Sequence, residues 1–181
     1  MCRIIALLLL SGMSWAATAQ NYSPKTVGNK WTFRMQEHSF VDEVIKGTLK
    51  HKGKEYSRTV RKYSWGSTDT IFSRVDHKGT SYYLDVKSRQ ETMDIPGELK
   101  VGLAWISSDG AWKYMIKSLS ETLSTPGNKF ENCLVIKAEQ VTGRDKEKLQ
   151  TYYIYYVKDI GYVGSKVEQG LMAYLEKWEL K

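Results

Sequence analysis

The sequence predicts an all-β protein whose antiparallel meander, in two similar halves, forms an open curved sheet, a clam or a sandwich. Three observations lead to this prediction. The apolar runs are short, rich in β-branched and aromatic residues, and separated by turn residues. No window of a dozen residues shows the apolar spacing of an amphipathic helix. Finally, two pairs of short segments repeat along the chain, as expected for related hairpins and related halves.

The first half of the chain contains five strand-like segments. Each combines β-branched or aromatic residues with polar neighbours, a pattern typical of extended backbone. The predicted strands are Trp31–Gln36, Glu43–Lys50, Glu55–Tyr63, Thr70–Val75 and Ser81–Lys87.

The second half begins after the break at Ile95-Pro96-Gly97 and contains further strand-like segments. In order they read AWISS, WKYMIKSLSETLS, KFENCLVIKAEQV, LQTYYIYYV, GYVGSKV and MAYLEKWEL. The best helical candidate, Arg144–Gln150, is short and charged. We interpret it as an excursion between two strands.

One repeated pair of segments predicts two hairpins. His51–Tyr56 reads HKGKEY and His77–Tyr82 reads HKGTSY, each with Lys-Gly between two strand-like runs. Glycine readily adopts the positive φ that tight hairpin turns require. The repetition therefore indicates two successive hairpins, with His51 and His77 at equivalent turn positions.

The second repeated pair predicts the two halves. Thr26–Trp31 reads TVGNKW and Lys100–Trp105 reads KVGLAW, and each follows a proline and begins a strand with tryptophan. We therefore expect one β domain over residues 20–181, with related halves at about 24–94 and 95–181.

The N-terminus predicts a signal peptide over residues 1–19. Arg3 precedes the apolar run Ile4–Leu10, and small residues lead to Ala17-Thr18-Ala19, an A-x-A pattern that places cleavage after Ala19. The apolar run is far shorter than the roughly 20 residues that span a bilayer. We expect a periplasmic or secreted protein with no transmembrane segment after signal removal.

The charge is positive and concentrated in one hairpin. The whole chain carries +7, and loss of Arg3 with the signal leaves +6. This charge favours anionic partners such as lipid or glycan, or it only keeps the protein soluble. An exported chain without a nucleic-acid-binding module is not expected to bind nucleic acid. The candidate anionic-surface patch is Lys46, Lys50, Lys52, Lys54, Arg58 and Lys62. The alternative is a lysine-rich hairpin that discourages edge-to-edge aggregation.

The sequence contains no recognisable catalytic or metal-binding motif. His38, His51 and His77 lack metal-ligand spacing, and there is no G-x-S-x-G elbow. We therefore predict no catalytic residues, no metal and no cofactor. Cys133, alone after signal removal, lies on a strand with apolar residues on both faces, which predicts a buried, unreactive thiol.

Three blocks carry a family resemblance. They are SPKTVGNKWTF, STPGNKFENCLVIK and YYIYYVKDIGYVGSKV, spread over residues 24–168. The chain resembles uncharacterised exported bacterial all-β proteins, many of them lipoproteins, with VGxxW, TPxGxFxNCLxxK and YYxxxIGxVxS blocks. The resemblance implies an all-β fold and brings no activity with it. This chain has no lipobox, so lipid anchoring is not implied. The arrangement is also similar to the curved sheets of periplasmic lipoprotein carriers, which hold acyl chains.

In the segment TYYIYYV, apolar or aromatic residues occupy both faces of one strand. Tyr152, Ile154 and Tyr156 point one way, whereas Tyr153 and Tyr155 point the other. Such a strand is covered on both sides, either by the protein core or by a ligand.

The leading hypothesis is an exported, non-enzymatic binding or envelope-associated protein. A hydrophobic or amphipathic ligand would lie on an aromatic concave face, with Trp31, Trp105, Tyr153 and Tyr155 as candidate contacts. The alternative is a structural or protein-interaction module, with an envelope protein, lipid or glycan as its partner, that docks through a sheet edge or the basic hairpin. A third hypothesis is a hydrolase whose site assembles only on folding.

Overall fold

In the computed structural model, which describes residues 21–142, 150–168 and 170–181, the β-branched and aromatic runs form one antiparallel sheet of twelve strands. The predicted all-β antiparallel fold is confirmed. The predicted signal peptide, residues 1–19, lies outside the described residues, as do residues 144–149 of the charged segment. Within the described part of the chain, no helix has the length and apolar character needed to cross a bilayer.

The strands follow one another with short connections. Those of the first half are β1 (Lys30–Met35), β2 (His38–His51), β3 (Lys54–Tyr63), β4 (Thr68–Val75), β5 (Ser81–Asp85) and β6 (Gln90–Ile95). Those of the second half are β7 (Ala104–Ile106), β8 (Trp112–Ser124), β9 (Lys129–Gln140), β10 (Thr151–Val157), β11 (Gly161–Val167) and β12 (Gly170–Glu179).

The sheet is a continuous meander that nearly closes on itself. Its strand order is β6-β5-β4-β3-β2-β1-β12-β11-β10-β9-β8-β7, so β1 pairs with β12 at the centre and the consecutive strands β6 and β7 form the edges. The two edges meet through side chains. Trp105 Nε1 donates to the Met93 carbonyl oxygen at 3.0 Å, and the Thr92 and Ser108 hydroxyls are 2.5 Å apart. The curvature therefore gives the sheet a concave interior face.

Both predicted hairpins are present, but their turns differ. Lys52 and Gly53 have φ values of 49° and 73°, and His51 pairs with Lys54, so a two-residue turn joins β2 to β3. Between β4 and β5, a longer turn is closed by the hydrogen bond from Asp76 N to the Thr80 carbonyl oxygen at 3.0 Å. His51 consequently lies at the end of a strand, whereas His77 lies within a loop; the two positions are not equivalent.

The two Val-Gly turns before β1 and β7 have the same backbone geometry. Gly28 and Gly102 have φ values of 92° and 88°. Gly28 N donates to the Val44 carbonyl at 2.8 Å, and Gly102 N donates to the Ile116 carbonyl at 2.9 Å. In each case the partner strand returns a hydrogen bond, because Val44 N donates to Asn29 O and Ile116 N donates to Leu103 O, both at 2.9 Å.

The sequence prediction missed one strand and shortened another. The segment QETMDI forms β6, although its polar composition gave no strand signal. Strand β2 begins at His38, five residues before the predicted Glu43. In both cases the alternating residues that face the interior include polar side chains, such as Asp42 and Asp94, so the expected apolar periodicity is absent.

The far end of the β8–β9 hairpin packs against β10, β11 and β12. Leu123 and Cys133 are fully buried in one cluster with Tyr155. Asn128 Nδ2 donates to the Glu176 carbonyl at 3.2 Å and so fixes the hairpin turn to β12. One face of the strand TYYIYYV is therefore covered by protein.

Candidate ligand cavity

The interior of the curved sheet contains a cavity of about 690 Å³, here called the interior cavity. Residues from β1, β2, β3, β4, β6, β10, β11 and β12 line it, together with the segment 22–25, which precedes β1. Alternation along β10 directs Tyr152, Ile154 and Tyr156 into this space, on the face opposite Tyr155. The second face of that strand therefore borders the cavity.

Part of the lining of the interior cavity is apolar. This apolar wall is formed by Trp31, Phe33, Ile154, Leu171 and Ala173. Trp31 is held in place because its indole nitrogen donates to the Ile160 carbonyl at 2.8 Å. Its polar atom is thus satisfied, and its ring is free to present apolar surface.

Another part of the lining is polar and adjoins the apolar part, since Trp31 pairs with Asp42 in the β1–β2 register. This polar wall is formed by Lys25, Asp42, Thr59, Arg61 and Asp94.

Within the polar wall, Arg61 and Asp42 form a bidentate ion pair. They lie directly opposite each other in the β2–β3 register, and Arg61 Nε and Nη2 each donate to an Asp42 carboxylate oxygen at 2.7 Å. The guanidinium carbon lies 4.2 Å from the centroid of the Phe40 ring. Burial alone would lower the pKa of Arg61, but the hydrogen bonds and charge of Asp42 raise it overall. These two charges therefore neutralise each other.

Thr59 presents an unpaired hydroxyl. Its side chain lines the interior cavity, the residue is only 6% exposed, and its Oγ1 has no hydrogen-bond partner among the described residues. An unpaired hydroxyl away from water is energetically unfavourable and is unusual in a folded protein.

Lys25 belongs to the segment that precedes β1 and runs between two cavities. This segment is tied to the β10–β11 turn, since Asp159 N donates to the Asn21 carbonyl at 2.7 Å. Lys25 borders both the interior cavity and a second cavity of about 510 Å³. It forms no ion pair with any described carboxylate. Burial lowers the pKa of Lys25, and the charges of Asp94 and Asp42 partly oppose that shift.

Asp94 is held by two hydroxyl groups. Tyr156 Oη donates to Asp94 Oδ1 at 3.1 Å, and Ser81 Oγ donates to Oδ2 at 3.4 Å. Burial raises the pKa of Asp94, although Lys25 and these hydrogen bonds act in the other direction. Burial and the same carboxylate raise the pKa of the Tyr156 hydroxyl. Asp94 therefore takes up a proton more readily than an exposed aspartate.

The second cavity has a more polar lining, with Glu55, Ser57, Arg74 and Ser81 among its residues. Apart from Lys25, its charged groups already have partners. Glu55 accepts a hydrogen bond from Thr48 at 2.6 Å, and Arg74 forms an ion pair with Glu91 at 2.5 Å.

The four predicted ligand contacts are not brought together. Trp31 lines the interior cavity. Trp105 is buried near the sheet edges and stacks on Tyr114 with ring centroids 5.7 Å apart. Tyr155 is buried beneath the β8–β9 hairpin, and Tyr153, on the same face, has the Lys117 ammonium 4.6 Å from its ring centroid.

Sequence reasoning did not single out the polar wall or the inward face of β10. Alternation had already separated Tyr152 and Tyr156 from Tyr153 and Tyr155. The face of β10 that lines the cavity is the one that the β8–β9 hairpin does not cover. That packing joins distant parts of the chain and cannot be predicted from the β10 sequence. Lys25 carried no signal, because it lies outside every strand-like segment.

Part of the predicted anionic-surface patch is engaged in ion pairs. Lys54 pairs with Glu91, which lies on another hairpin, and Lys62 lies 3.8 Å from the Glu43 carboxylate. The other members are exposed or half-buried and are Lys46, Lys50, Lys52 and Arg58.

The histidines are dispersed. His38 lines the interior cavity beside the exposed Trp65, with ring centroids 5.2 Å apart. His51 is half-buried and its Nε2 has no partner among the described residues, whereas His77 is exposed. Within the described ranges, no group of three or more His, Cys, Asp or Glu residues is arranged to hold a metal ion.

Comparison with known proteins finds no match to this chain among protein-family models, curated proteins or solved structures.

Proposed function

We propose that this chain is a non-enzymatic binding protein that holds a hydrophobic or amphipathic ligand inside its curved sheet. The observation that carries the proposal is the interior cavity of about 690 Å³, whose lining includes both an apolar and a polar wall. Small-molecule sites in proteins are typically concave, of roughly 300–1,000 Å³, and mainly apolar with a few placed polar groups. The volume and the lining both fit that description.

The presence of both apolar and polar groups in one cavity favours an amphipathic ligand. Trp31, Phe33 and Ile154 offer apolar surface to a chain or ring system. Thr59 and Lys25 offer hydrogen-bond donors that the described part of the protein leaves unpaired. A ligand with one apolar and one polar end would satisfy both walls at once.

We place this function in the periplasm or outside the cell. The support is the basic Arg3, the apolar run Ile4–Leu10 and the small residues ending at Ala19, the pattern of a cleaved signal peptide. Immunoblotting of periplasmic and cytoplasmic fractions, with N-terminal sequencing of the product, tests this placement. A product that retains residues 1–19 in the cytoplasm would overturn it.

Ligand extraction tests the function directly. The protein is purified without detergent, extracted with chloroform and methanol, and analysed by mass spectrometry, with urea-refolded, delipidated protein as the control. We expect one class of small amphiphile at near-stoichiometric amount in the native sample only. An empty native protein that also fails to bind the neutral fluorescent probe N-phenyl-1-naphthylamine would contradict the proposal.

A cavity-filling variant locates the site. Ala173 is buried and lines the interior cavity, so Ala173→Phe places a ring where the ligand would lie. Ala104 on edge strand β7 is exposed, which makes Ala104→Phe a matched control. We expect the first variant to lose binding of N-phenyl-1-naphthylamine with its circular dichroism spectrum retained, and the second to bind normally. Equal binding by both variants would exclude this cavity.

A further inference from the structure

Lys25 stands apart from the other charged groups of the polar wall. Arg61 and Asp42 already satisfy each other through two hydrogen bonds of 2.7 Å. Asp94 already accepts hydrogen bonds from Tyr156 and Ser81. Lys25 borders the same cavity without an ion pair to any described carboxylate. The wall therefore contains one cation whose charge is not matched by a direct contact.

The unpaired Thr59 hydroxyl provides an independent indication of a missing partner. It is 94% buried, since the residue is 6% exposed, and it lines the interior cavity with no hydrogen-bond partner among the described residues. A hydroxyl can donate to an anionic oxygen, and hydrogen bonds to charged groups are the stronger kind. The lining of the interior cavity thus includes an ammonium without an ion pair and a hydroxyl without a hydrogen-bond partner among the described residues.

We propose that the interior cavity binds a long-chain carboxylate, with the carboxylate at Lys25 and Thr59 and the alkyl chain along Trp31, Phe33 and Ile154. This inference rests on the proposed function and specifies its ligand class.

The charge of the wall selects a monoanion over a dianion. Its charged groups are two cations, Lys25 and Arg61, and two carboxylates, Asp42 and Asp94. These charges sum to zero, so a bound monoanion leaves one negative charge, which Asp94, whose pKa is raised by burial, removes by taking up a proton. A dianionic phosphate would add a second negative charge with no further free cation to meet it, and burying such a charge is unfavourable.

A competition assay at pH 7.5 tests the proposal on the full chain. N-phenyl-1-naphthylamine occupies the cavity as a neutral probe, and palmitate, hexadecanol and hexadecyl phosphate compete for it below their micellar concentrations. We expect palmitate to displace the probe at a concentration lower than that of hexadecanol by about tenfold or more, and hexadecyl phosphate to be weaker than palmitate. Palmitate no better than hexadecanol, or weaker than hexadecyl phosphate, would overturn the inference.

Substitutions identify the residues responsible. Lys25→Met should lower the affinity for palmitate by about tenfold or more and leave that for hexadecanol unchanged, whereas Lys25→Arg should retain the preference. Lys100→Met, at an exposed lysine before β7, is the control and should change neither affinity. Thr59→Val, which is close to isosteric, should weaken palmitate by about fivefold. Equal losses for palmitate and hexadecanol in Lys25→Met and Thr59→Val would overturn the assignment.

The outcomes separate this inference from the proposed function. If palmitate and hexadecanol bind equally well, the function stands and the carboxylate site is wrong. If neither compound binds and the probe itself does not bind, the proposed function fails together with the inference.

Discussion

Cys133 illustrates how burial sets the chemistry of a single side chain. Its thiol is fully buried, its Sγ donates to the Phe130 carbonyl at 3.4 Å, and burial raises its pKa to about 11. The expected burial of this residue is confirmed, and its low reactivity follows as a prediction. The thiolate is the reactive species, so both access and ionisation disfavour modification.

We expect Cys133 in the native protein to react with a thiol reagent at pH 8 at least about a hundredfold more slowly than in urea. With the pKa at about 11, only a very small fraction of the thiol is ionised at that pH. Absorbance of the released chromophore from 5,5′-dithiobis(2-nitrobenzoic acid) measures both rates. Comparable rates in buffer and in urea would show that the β8–β9 hairpin does not protect the thiol.

The Arg61–Asp42 pair gives a second prediction for individual residues. Arg61→Met should lower the free energy of unfolding by about 3 kcal/mol, because it leaves the buried Asp42 carboxylate without its partner. Adding Asp42→Leu should restore much of that loss, since the unpaired charge is then removed as well. Urea unfolding followed by tryptophan fluorescence measures the cycle. A double variant whose loss equals the sum of the single losses would mean that the two groups act independently.

At the scale of elements, the β2–β3 turn shows how two residues determine a hairpin. Lys52 and Gly53 both have positive φ, the conformation of a type I′ turn, which favours asparagine followed by glycine. A Cβ on Gly53 would meet no atom within 4 Å, so a substitution there changes only the backbone energy. A substitution at Gly53 therefore measures backbone strain without a change in side-chain packing.

We expect Gly53→Ala to lower the free energy of unfolding by about 1–2 kcal/mol through left-handed backbone strain. Lys52→Asn should raise it by about 0.5 kcal/mol, because asparagine tolerates this conformation better. Gly127 lies in the β8–β9 turn without a positive φ, and a Cβ added to it would likewise meet no atom within 4 Å. Gly127→Ala is thus the matched control and should be neutral in thermal unfolding. A cost at Gly127 equal to that at Gly53 would contradict the turn argument.

The elements also show what sequence patterns can and cannot predict. Most strands and the Lys-Gly turns could be predicted from short stretches of sequence, because β propensity and positive φ depend on the residue and its immediate neighbours. Strand β6 could not be predicted in this way. Its inward residues Thr92 and Asp94 form hydrogen bonds with Ser108 and Tyr156, which lie in later parts of the chain. Of the four predicted ligand contacts, only Trp31 lines the interior cavity, because the other lining residues are brought there by contacts between distant parts of the chain. Whether Tyr152 or Tyr155 faces the cavity depends on the fold of a hairpin elsewhere in the chain.

For the molecule as a whole, burial keeps several tyrosine hydroxyls and one cysteine thiol protonated. Burial is the largest cause of a raised pKa for seven tyrosines and for Cys133. Burial raises the pKa of Tyr162 to about 12, for example, while its hydrogen bond to Ser165 acts in the other direction. The folded protein thus holds these protons more tightly than the unfolded chain, in which tyrosine ionises near pH 10.

This difference predicts alkaline destabilisation. Where the folded state binds more protons than the unfolded state, the free energy of unfolding falls as pH rises. Each group with a raised pKa contributes fully to the free energy of unfolding below its unfolded pKa, about 9 for the thiol and about 10 for tyrosine. That contribution is lost as the pH rises through the pKa of the folded state. Lys25 acts in the opposite direction, because burial lowers its pKa, but it is one group against eight.

We therefore expect the free energy of unfolding in urea to decrease steadily from pH 9 to pH 11, and tyrosinate absorbance at 295 nm to rise in step with unfolding. Tyr162→Phe should make this decrease shallower, because it removes one group that the fold keeps protonated to about pH 12. Unchanged stability across this range, with all tyrosines ionising near pH 10 in the folded protein, would show that water reaches the interior face of the sheet. The interior cavity would then be an open cleft, and its unpaired Thr59 hydroxyl would be solvated rather than available to a ligand.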